Sequence, residues 1–226
     1  MITPTRFLLS WLLLSIIGGL SACEPKGCTL ITKTMELRPV IMKTLVAEQY
    51  PASGFFLCPF GAAPLKPAPF SVIVGYSHKL NETFFCDKAS DHIYQGAVWF
   101  PVRENLKNKF IQKAVLKFTF FDSNPRCLIK VCTTEFNLWI NDTSNKTVSV
   151  TDCIAPLPIQ GQEFSVDVTN MVRYWAQGSV ENNGFILVGP KDNFASFSMR
   201  GMLKNENCLA FLRDFLLVIT YVEKSP

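Results

Sequence analysis

The sequence has only two histidines in 226 residues, His78 and His92. Catalysis by a Ser/His/Asp or Cys/His arrangement needs a histidine beside a nucleophile, so few such sites can be built. The G-x-S-x-G, H-E-x-x-H and phosphate-loop motifs are absent. Asp87, Asp91 and His92 are close in sequence, but they lack a nucleophile signature. Two carboxylates could still meet in space, as in a glycosidase, so an enzyme acting on polysaccharide is kept as the third hypothesis.

Blocks of lysine or arginine are also missing, although the chain has 22 basic and 18 acidic residues and a net charge of +4. Nucleic-acid-binding proteins concentrate positive charge on one face or segment, so no nucleic acid is expected as a partner. The C-x-x-C pattern is absent, and the histidines lie apart from the cysteines, so a metal site of the zinc type is not expected. The sequence predicts no cofactor.

The only long apolar run lies at the N-terminus. Arg6 is the one charge among the first 22 residues, and "FLLSWLLLSIIGGL" follows it. This run is too short and wrongly flanked for a bilayer span, and it predicts a signal peptide over residues 1–22. It ends in Leu-Ser-Ala-Cys23, which resembles a bacterial lipobox. The resemblance implies cleavage before Cys23 and a lipid on its thiol. The alternative is an ordinary secretory leader that is cleaved nearby.

Lipidation at Cys23 implies a cell-envelope protein held to a membrane, and Glu24 after the cysteine implies the outer membrane. An exported chain with eight cysteines usually forms disulfides. Cys127 and Cys132 flank a predicted strand, which separates their Cα atoms by roughly 16 Å, too far for a bond to each other. The candidate disulfide cysteines number seven, so one is either unpaired or linked to another chain: Cys28, Cys58, Cys86, Cys127, Cys132, Cys153 and Cys208.

Short strands separated by turn residues occupy the rest of the chain. Their regular spacing, without long helical patterns, predicts an all-β sandwich. We expect a lipidated tether over 23–36, one domain over 37–222 and a tail over 223–226, with the proline-rich segment 59–69 as a surface loop. The predicted strands are 70–76, 96–102, 114–121, 127–132, 136–140, 147–152, 164–168, 184–189 and 215–222.

One short helix is predicted after the strand at 164–168. Asp167 or Thr169 can cap its first amides, and Gly178 can end it in the left-handed conformation. Trp175 is interpreted as the main core anchor of this helix, with a ligand-binding platform as the alternative. The apolar residues share one stripe at helical spacing: Val168, Met171, Val172 and Trp175.

The order of elements in the C-terminal half resembles the DNRLRE-type domains, a jelly-roll group related to carbohydrate-binding modules. Upstream, "VWFPV" and "IQKAVLKFTF" resemble an earlier strand pair of that family, and the resemblance spans about 37–222. It implies a jelly-roll-like fold with one capping helix. The matching residues are Asp167, Val168, Thr169, Val172, Trp175, Gly178, Asn183, Gly184, Phe185, Leu187, Phe197, Ser198, Thr220 and Tyr221.

The segment 136–147, "FNLWINDTSNKT", holds the candidate ligand-binding residues Trp139, Asn137, Asn141 and Asp142. Sugars stack their C–H faces on aromatic rings and bond their hydroxyls to amides and acids. Asn137 and Trp139 share one strand face, which favours an outward Trp139. The alternative is a core tryptophan beside an ordinary polar hairpin. A structural calcium ion near Asp142 is possible, but no ligand spacing supports it.

Three functions are therefore compared. The first is a non-catalytic binding or adhesive module for polysaccharide or glycan, with exposed aromatics in a groove. The second is a structural or assembly lipoprotein that binds another envelope protein through an apolar patch. The third is the enzyme. The family resemblance favours the first by analogy of fold.

Overall fold

The structure, a computed structural model, describes residues 29–49, 66–83, 86–107, 109–121, 128–135, 147–189 and 208–224. Within these residues there are eleven strands and two helices. In chain order they are β1 (Leu30–Leu37), β2 (Ile41–Gln49), β3 (Ser71–Thr83), β4 (Cys86–Trp99), α1 (Val102–Leu106), β5 (Phe110–Phe121), β6 (Lys130–Thr133), β7 (Thr151–Ile154), β8 (Leu157–Gln160), β9 (Glu163–Asp167), α2 (Thr169–Gln177), β10 (Phe185–Val188) and β11 (Cys208–Lys224).

The strands form one curled antiparallel sheet, which confirms the all-β, jelly-roll-like prediction. Its order is β7-β6-β10-β4-β3-β11-β5-β9-β8, with β1 also paired to β11 and β2 also paired to β4. Strand β3 joins the two parts of this sheet. Ser71–Tyr76 pairs with β11, and Gly75–Thr83 pairs with β4. Gly75 lies in both registers and has a φ of 114°, a value that glycine adopts without a steric penalty.

The main core lies inside the curl and draws on most strands and both helices. Leu116, Phe118 and Phe120 of β5 are buried on the face that the alternation in the sequence predicts. Strand β10 is buried at all four positions, because a second apolar cluster covers its other face. That smaller cluster consists of Leu45, Ala97, Cys132, Ile186 and Val188, with Val148 and Val150 packed against it.

Helix α2 closes one side of the main core. Its apolar stripe of Val168, Met171, Val172 and Trp175 is buried, and the Trp175 ring lies 4.7 Å from that of Phe185. Gly178 ends the helix with a φ of 72°, and its N–H donates to the Trp175 carbonyl. The longer of the two described helices has nine residues, and none in the described part of the chain is long and apolar enough to span a membrane.

Several boundaries differ from the sequence-based expectation. Strand β1 starts at Leu30, inside the segment 23–36 that was expected to be a tether, because its backbone pairs with β11 from Leu30↔Lys224 to Leu37↔Leu217. The same pairing carries β11 into the expected tail at 223–226. Helix α1 replaces the end of the strand expected over 96–102, since β4 stops at Trp99 and Pro101 has no N–H to donate to a sheet.

Candidate functional site

An open groove of about 1220 Å³ lies between helix α2 and the β6–β7 strand pair. Asp167, Asn170, Arg173 and Tyr174 line its helical wall. The opposite wall consists of residues 133–135 and 151–154. Gln112 and Lys113 of β5 and the turn that precedes β10 complete the lining. The groove combines polar side chains with an exposed aromatic, so it is the candidate binding site.

The helical wall is fixed by local hydrogen bonds at the start of α2. Asp167 Oδ1 accepts hydrogen bonds from the hydroxyl of Thr169 and, at 3.0 Å, from the N–H of Thr169. The Thr169 Oγ1 in turn accepts the N–H of Ala114 on β5 at 3.0 Å. These bonds hold the pKa of Asp167 below its ordinary value, with the Thr169 hydroxyl as the largest cause and the Thr169 N–H as the second. Asp167 therefore lines the groove as a carboxylate near neutral pH.

Arg173 ties the same wall to an irregular point in β5. The β5–β11 register pairs Lys113 with Thr220 and Ile111 with Tyr221, so Gln112 is the extra residue of a bulge. Arg173 Nε donates to the Ile111 carbonyl at 2.9 Å, and its Nη2 donates to the Gln112 carbonyl at 3.0 Å. Two donors of the guanidinium thus satisfy carbonyl groups on both sides of the bulge. We interpret Arg173 as a structural residue of the groove.

Tyr174 is the exposed aromatic of the groove. It lies on the outward side of α2, lines the cavity and is 53% exposed. Its neighbour Trp175 is only 3% exposed and belongs to the core. A flat ring at the rim of a polar groove can stack against the C–H face of a ligand. Tyr174, not Trp175, is therefore the exposed aromatic of this helix.

The opposite wall is held by a disulfide bond between the buried Cys132 of β6 and the exposed Cys153 of β7. The partner of Cys132 is thus Cys153 and not Cys127, as the strand geometry predicts. Asp152 beside it has a positive φ of 46°, at a point where the β6–β7 register shifts. The hydroxyls of Thr133 and Thr151 lie 3.0 Å apart. This wall presents hydroxyl and carboxylate groups.

Asn183 joins the β6 side of the groove to the turn before β10. It is 4% exposed, and its Nδ2 donates to the Thr134 carbonyl at 3.2 Å. Its N–H donates to the Glu181 carbonyl at 3.1 Å. Its Oδ1 is buried and accepts no hydrogen bond from the residues that the structure describes. Buried acceptors in this state are uncommon and costly, so Asn183 stands out among the lining residues.

The described lining carries four carboxylates and two cations. Asp167 has both cations, Lys113 and Arg173, close enough to lower its pKa further. The carboxylates of Glu135, Asp152 and Glu181 lie elsewhere in the lining. The groove is therefore locally acidic in a chain whose net charge is +4. The described residues contain no group of three His, Cys, Asp or Glu side chains that could hold a metal ion, and none of them is assigned as a calcium ligand.

The ligand-binding candidates and the lipidation candidate from the sequence lie outside the described residues. This applies to Trp139, Asn137, Asn141 and Asp142, and to Cys23, the lipidation candidate. The segment that contains the first four follows Glu135 directly along the chain, and Glu135 lines the groove. Of the remaining cysteines, Cys208 is also disulfide-bonded, and the side chains of Cys28, Cys58, Cys86 and Cys127 are not described.

Sequence reasoning missed Tyr174 and Asp152, and it gave Asn183 only as a match to the family pattern, without a role in the site. Tyr174 could have been found, because it lies on the polar side of a helix whose apolar stripe was already recognised. Asp152 and Asn183 sit 31 residues apart, and no periodic pattern relates them. Only the sheet order, which places β6 between β7 and β10, brings their segments to one groove.

No protein-family model matches this chain, and no curated protein shows significant similarity to it. The function is therefore argued from the groove itself.

Proposed function

We propose that this protein is a non-catalytic glycan-binding module of the DNRLRE type, held at the cell envelope by a lipid on Cys23. The observation that carries the proposal is the groove between α2 and the β6–β7 pair, with Tyr174 exposed at a polar lining. An antiparallel β fold with such a groove is consistent with the carbohydrate-binding-module resemblance of the sequence.

The lining chemistry suits a polyhydroxylated ligand. Sugar hydroxyls both donate and accept hydrogen bonds, and the groove offers both functions through Gln112, Asn170 and the hydroxyls of Thr133 and Thr151. The ring of Tyr174 offers a stacking surface for a pyranose face. A groove of this kind holds an extended chain of sugars at several points, each of which contributes modestly to the affinity.

The membrane anchor is part of the same proposal. Cys23 precedes the first residue of β1, Leu30, by seven residues, which span at most about 25 Å when fully extended. A lipid on Cys23 would therefore keep the domain close to the membrane surface. More than one acyl chain on one cysteine gives stable attachment, which a single chain does not.

Glycan-array binding by a soluble form beginning at Glu24 tests the function. We expect binding to a subset of polysaccharides. Tyr174→Ala should weaken the affinity by roughly tenfold or more, because it removes the contact between the tyrosine ring and a sugar face at the groove rim. The matched control is Phe70→Ala, since Phe70 is 86% exposed and does not line the groove. Trp139→Ala tests the candidate from the sequence in the same experiment.

The outcomes separate clearly. Equal losses of affinity in Tyr174→Ala and Phe70→Ala would argue against the groove as the binding site, and a folded protein that binds no glycan would contradict the function.

The anchor has its own test. Membrane fractionation of the full chain against Cys23→Ser, with the mass of the N-terminal peptide, should show lipid and membrane attachment in the wild type alone.

A second candidate, an assembly lipoprotein that binds another envelope protein, is supported by strand β8. Within the described sheet β8 has one neighbour, β9, and lies at the end of the strand order. Leu157 and Ile159 alternate along it on one face and are 69% and 49% exposed. An exposed aliphatic edge is a place where a partner strand can add. Envelope cross-linking that is lost in Leu157→Lys would favour this candidate.

A further inference from the structure

We infer that the groove selects glycans without acidic groups and that Asn183 accepts one of their hydroxyl or amide hydrogens. The inference rests on the proposed function and narrows it to a ligand class. Two independent observations carry it, the unsatisfied acceptor of Asn183 and the distribution of charge along the groove.

Asn183 is oriented by its own hydrogen bonds. Because Nδ2 donates to the Thr134 carbonyl, the orientation of the side-chain amide is fixed, and only its oxygen, Oδ1, is left to bond a ligand. That Oδ1 is buried and receives no donor from the described residues. A buried carbonyl without a donor destabilises the protein, and a ligand donor that reaches it removes this cost on binding. Since Oδ1 is closed to bulk water, the ligand group has to displace part of the lining to reach it.

The charge of the lining decides which ligands can approach. Of the two described cations, Arg173 donates to two backbone carbonyls. Lys113 lines the same side of the groove as Asp167, whose negative charge offsets its positive one. The other wall carries Glu135 and Asp152, and both are exposed. A uronic acid or a sulfated sugar would bring a like charge beside these carboxylates. At a partly exposed site such repulsion weakens binding by roughly three- to tenfold for each pair.

Together these features favour donor-rich, uncharged sugars. Such a ligand supplies hydroxyl or acetamido N–H donors for Asn183 Oδ1 and for the lining carboxylates, and it brings no negative charge. A divalent cation is a poorer fit, because the described residues contain no group of three ligands that could hold it. The ligand class is therefore a neutral glycan.

The test uses the soluble chain from Glu24 on an array that presents each neutral oligosaccharide beside its hexuronic-acid counterpart of the same length. We expect binding to the neutral members, at least roughly tenfold tighter than to their acidic counterparts at low salt, with the gap narrowing as salt screens the charges. The double variant Glu135→Gln/Asp152→Asn should reduce this preference for neutral over acidic sugars by roughly tenfold, because it removes two of the repelling carboxylates. The matched control, Glu163→Gln, removes an exposed carboxylate that does not line the groove and should leave the gap unchanged.

Asn183→Ala tests the acceptor. We expect an affinity at least roughly fivefold weaker for the best neutral oligosaccharide, and a smaller rise of the unfolding temperature when that sugar is added. Unchanged affinity in a folded Asn183→Ala would overturn the role of Asn183. Equal or tighter binding of the acidic members would overturn the ligand class. Should Asn183→Ala fail to fold, the double variant Glu135→Gln/Asp152→Asn, at two exposed positions, still tests whether the carboxylates cause the preference for neutral sugars. An array without any bound glycan would instead count against the proposed function.

Discussion

At the scale of single residues, Arg173 shows how a charged side chain in a groove can serve the fold. It bonds the carbonyls of Ile111 and Gln112, which frame the β5 bulge. We expect Arg173→Ala to lower the free energy of unfolding by about 2 kcal/mol, because two carbonyls lose a charged donor. Arg173→Lys should recover less than half of this, since an ammonium cannot reach both carbonyls in a planar fork.

Urea unfolding measures this prediction. Lys117→Ala is the control, because Lys117 is exposed on β5, the strand that carries the two carbonyls. Its effect on the free energy of unfolding should stay within about 0.5 kcal/mol. An Arg173→Ala protein as stable as the wild type would show that the bulge carbonyls find other donors, and Arg173 would then be reconsidered as a ligand-binding residue.

Asp167 makes the start of α2 sensitive to acid. Hydrogen bonds from the Thr169 hydroxyl and N–H hold its pKa below the ordinary value of 3.8. A carboxylate with a lowered folded-state pKa stabilises the fold above its unfolded pKa and loses this contribution as the pH falls through the folded pKa. The wild type should therefore be more stable than Asp167→Asn near about pH 6, and the difference should shrink below about pH 4.

Unfolding of both proteins across this pH range checks the sign. In a Thr169→Val background the pH-dependent difference should become smaller, because the hydroxyl is the largest cause of the lowered pKa. A difference that grows towards low pH would contradict the assigned cause.

Residues of this kind are only partly predictable from sequence. Asp167 or Thr169 was expected to cap the start of the helix and Gly178 to end it, because capping depends on neighbours along the chain. Gly178 does end the helix, whereas the N-cap is Val168, which makes no side-chain cap bond, and Asp167 accepts the N–H of Thr169 from one position earlier. The role of Arg173 was not expected, since it depends on a bulge 61 residues away in the sequence. Asn183 matched the family pattern, but its buried acceptor is a property of three-dimensional packing.

At the scale of elements, β7 is the least supported wall of the groove. All four of its side chains are exposed, and within the described sheet it pairs with β6 alone across a register shift. The Cys132–Cys153 bond, which closes 21 residues of sequence separation, is thus its main attachment. We expect the double variant Cys132→Ala/Cys153→Ser to lose about 3 kcal/mol, the loop-entropy value for a ring of this size.

Hydrogen exchange locates the effect of that variant. Amides of Thr151–Ile154 should exchange faster, whereas those of β5 and β11 at the centre of the sheet should change little. Uniformly faster exchange over the whole domain would mean that β7 is not an independent element. Unchanged exchange in β7 would mean that backbone pairing alone holds this wall.

Strands with a buried face could be predicted, and strands without one could not. The segments 114–121 and 164–168 alternate in hydrophobicity, and 215–222 is a nearly continuous apolar run. They overlap β5, β9 and β11, respectively. The β3–β4 hairpin was predicted only near its core end, because His78–Thr83 and Cys86–Asp91 are polar and are held as strands by backbone pairing with each other. The exposed strands β7 and β8 carry equally weak signals.

At the scale of the whole molecule, the sheet curls because β3 passes from one part to the other. The sequence predicts strands and a sandwich, but the strand order depends on which backbones pair, and no local pattern records this. The link lies where the end of β10 meets β3 along β4: Val188 pairs with Gln95, and Gly75 pairs with the residue before it, Tyr94. Gly189 follows β10 at this meeting point.

Gly189 therefore gives a test of the curl itself. A Cβ at this position would lie 2.7 Å from the Gly75 Cα and 3.3 Å from its nitrogen, and a backbone cannot move aside as a side chain can. We expect Gly189→Ala to lower the free energy of unfolding by about 3 kcal/mol, at the upper end for overpacking by one methyl group. The control is Gly161→Ala, where a Cβ meets nothing within 4 Å but φ is +58°, so the cost is conformational and should stay near about 1 kcal/mol. Thermal and urea unfolding compare the stability of the two variants. If Gly189→Ala is no less stable than Gly161→Ala, then β10 and β3 do not approach each other as closely at Gly189 and Gly75 as the structure shows.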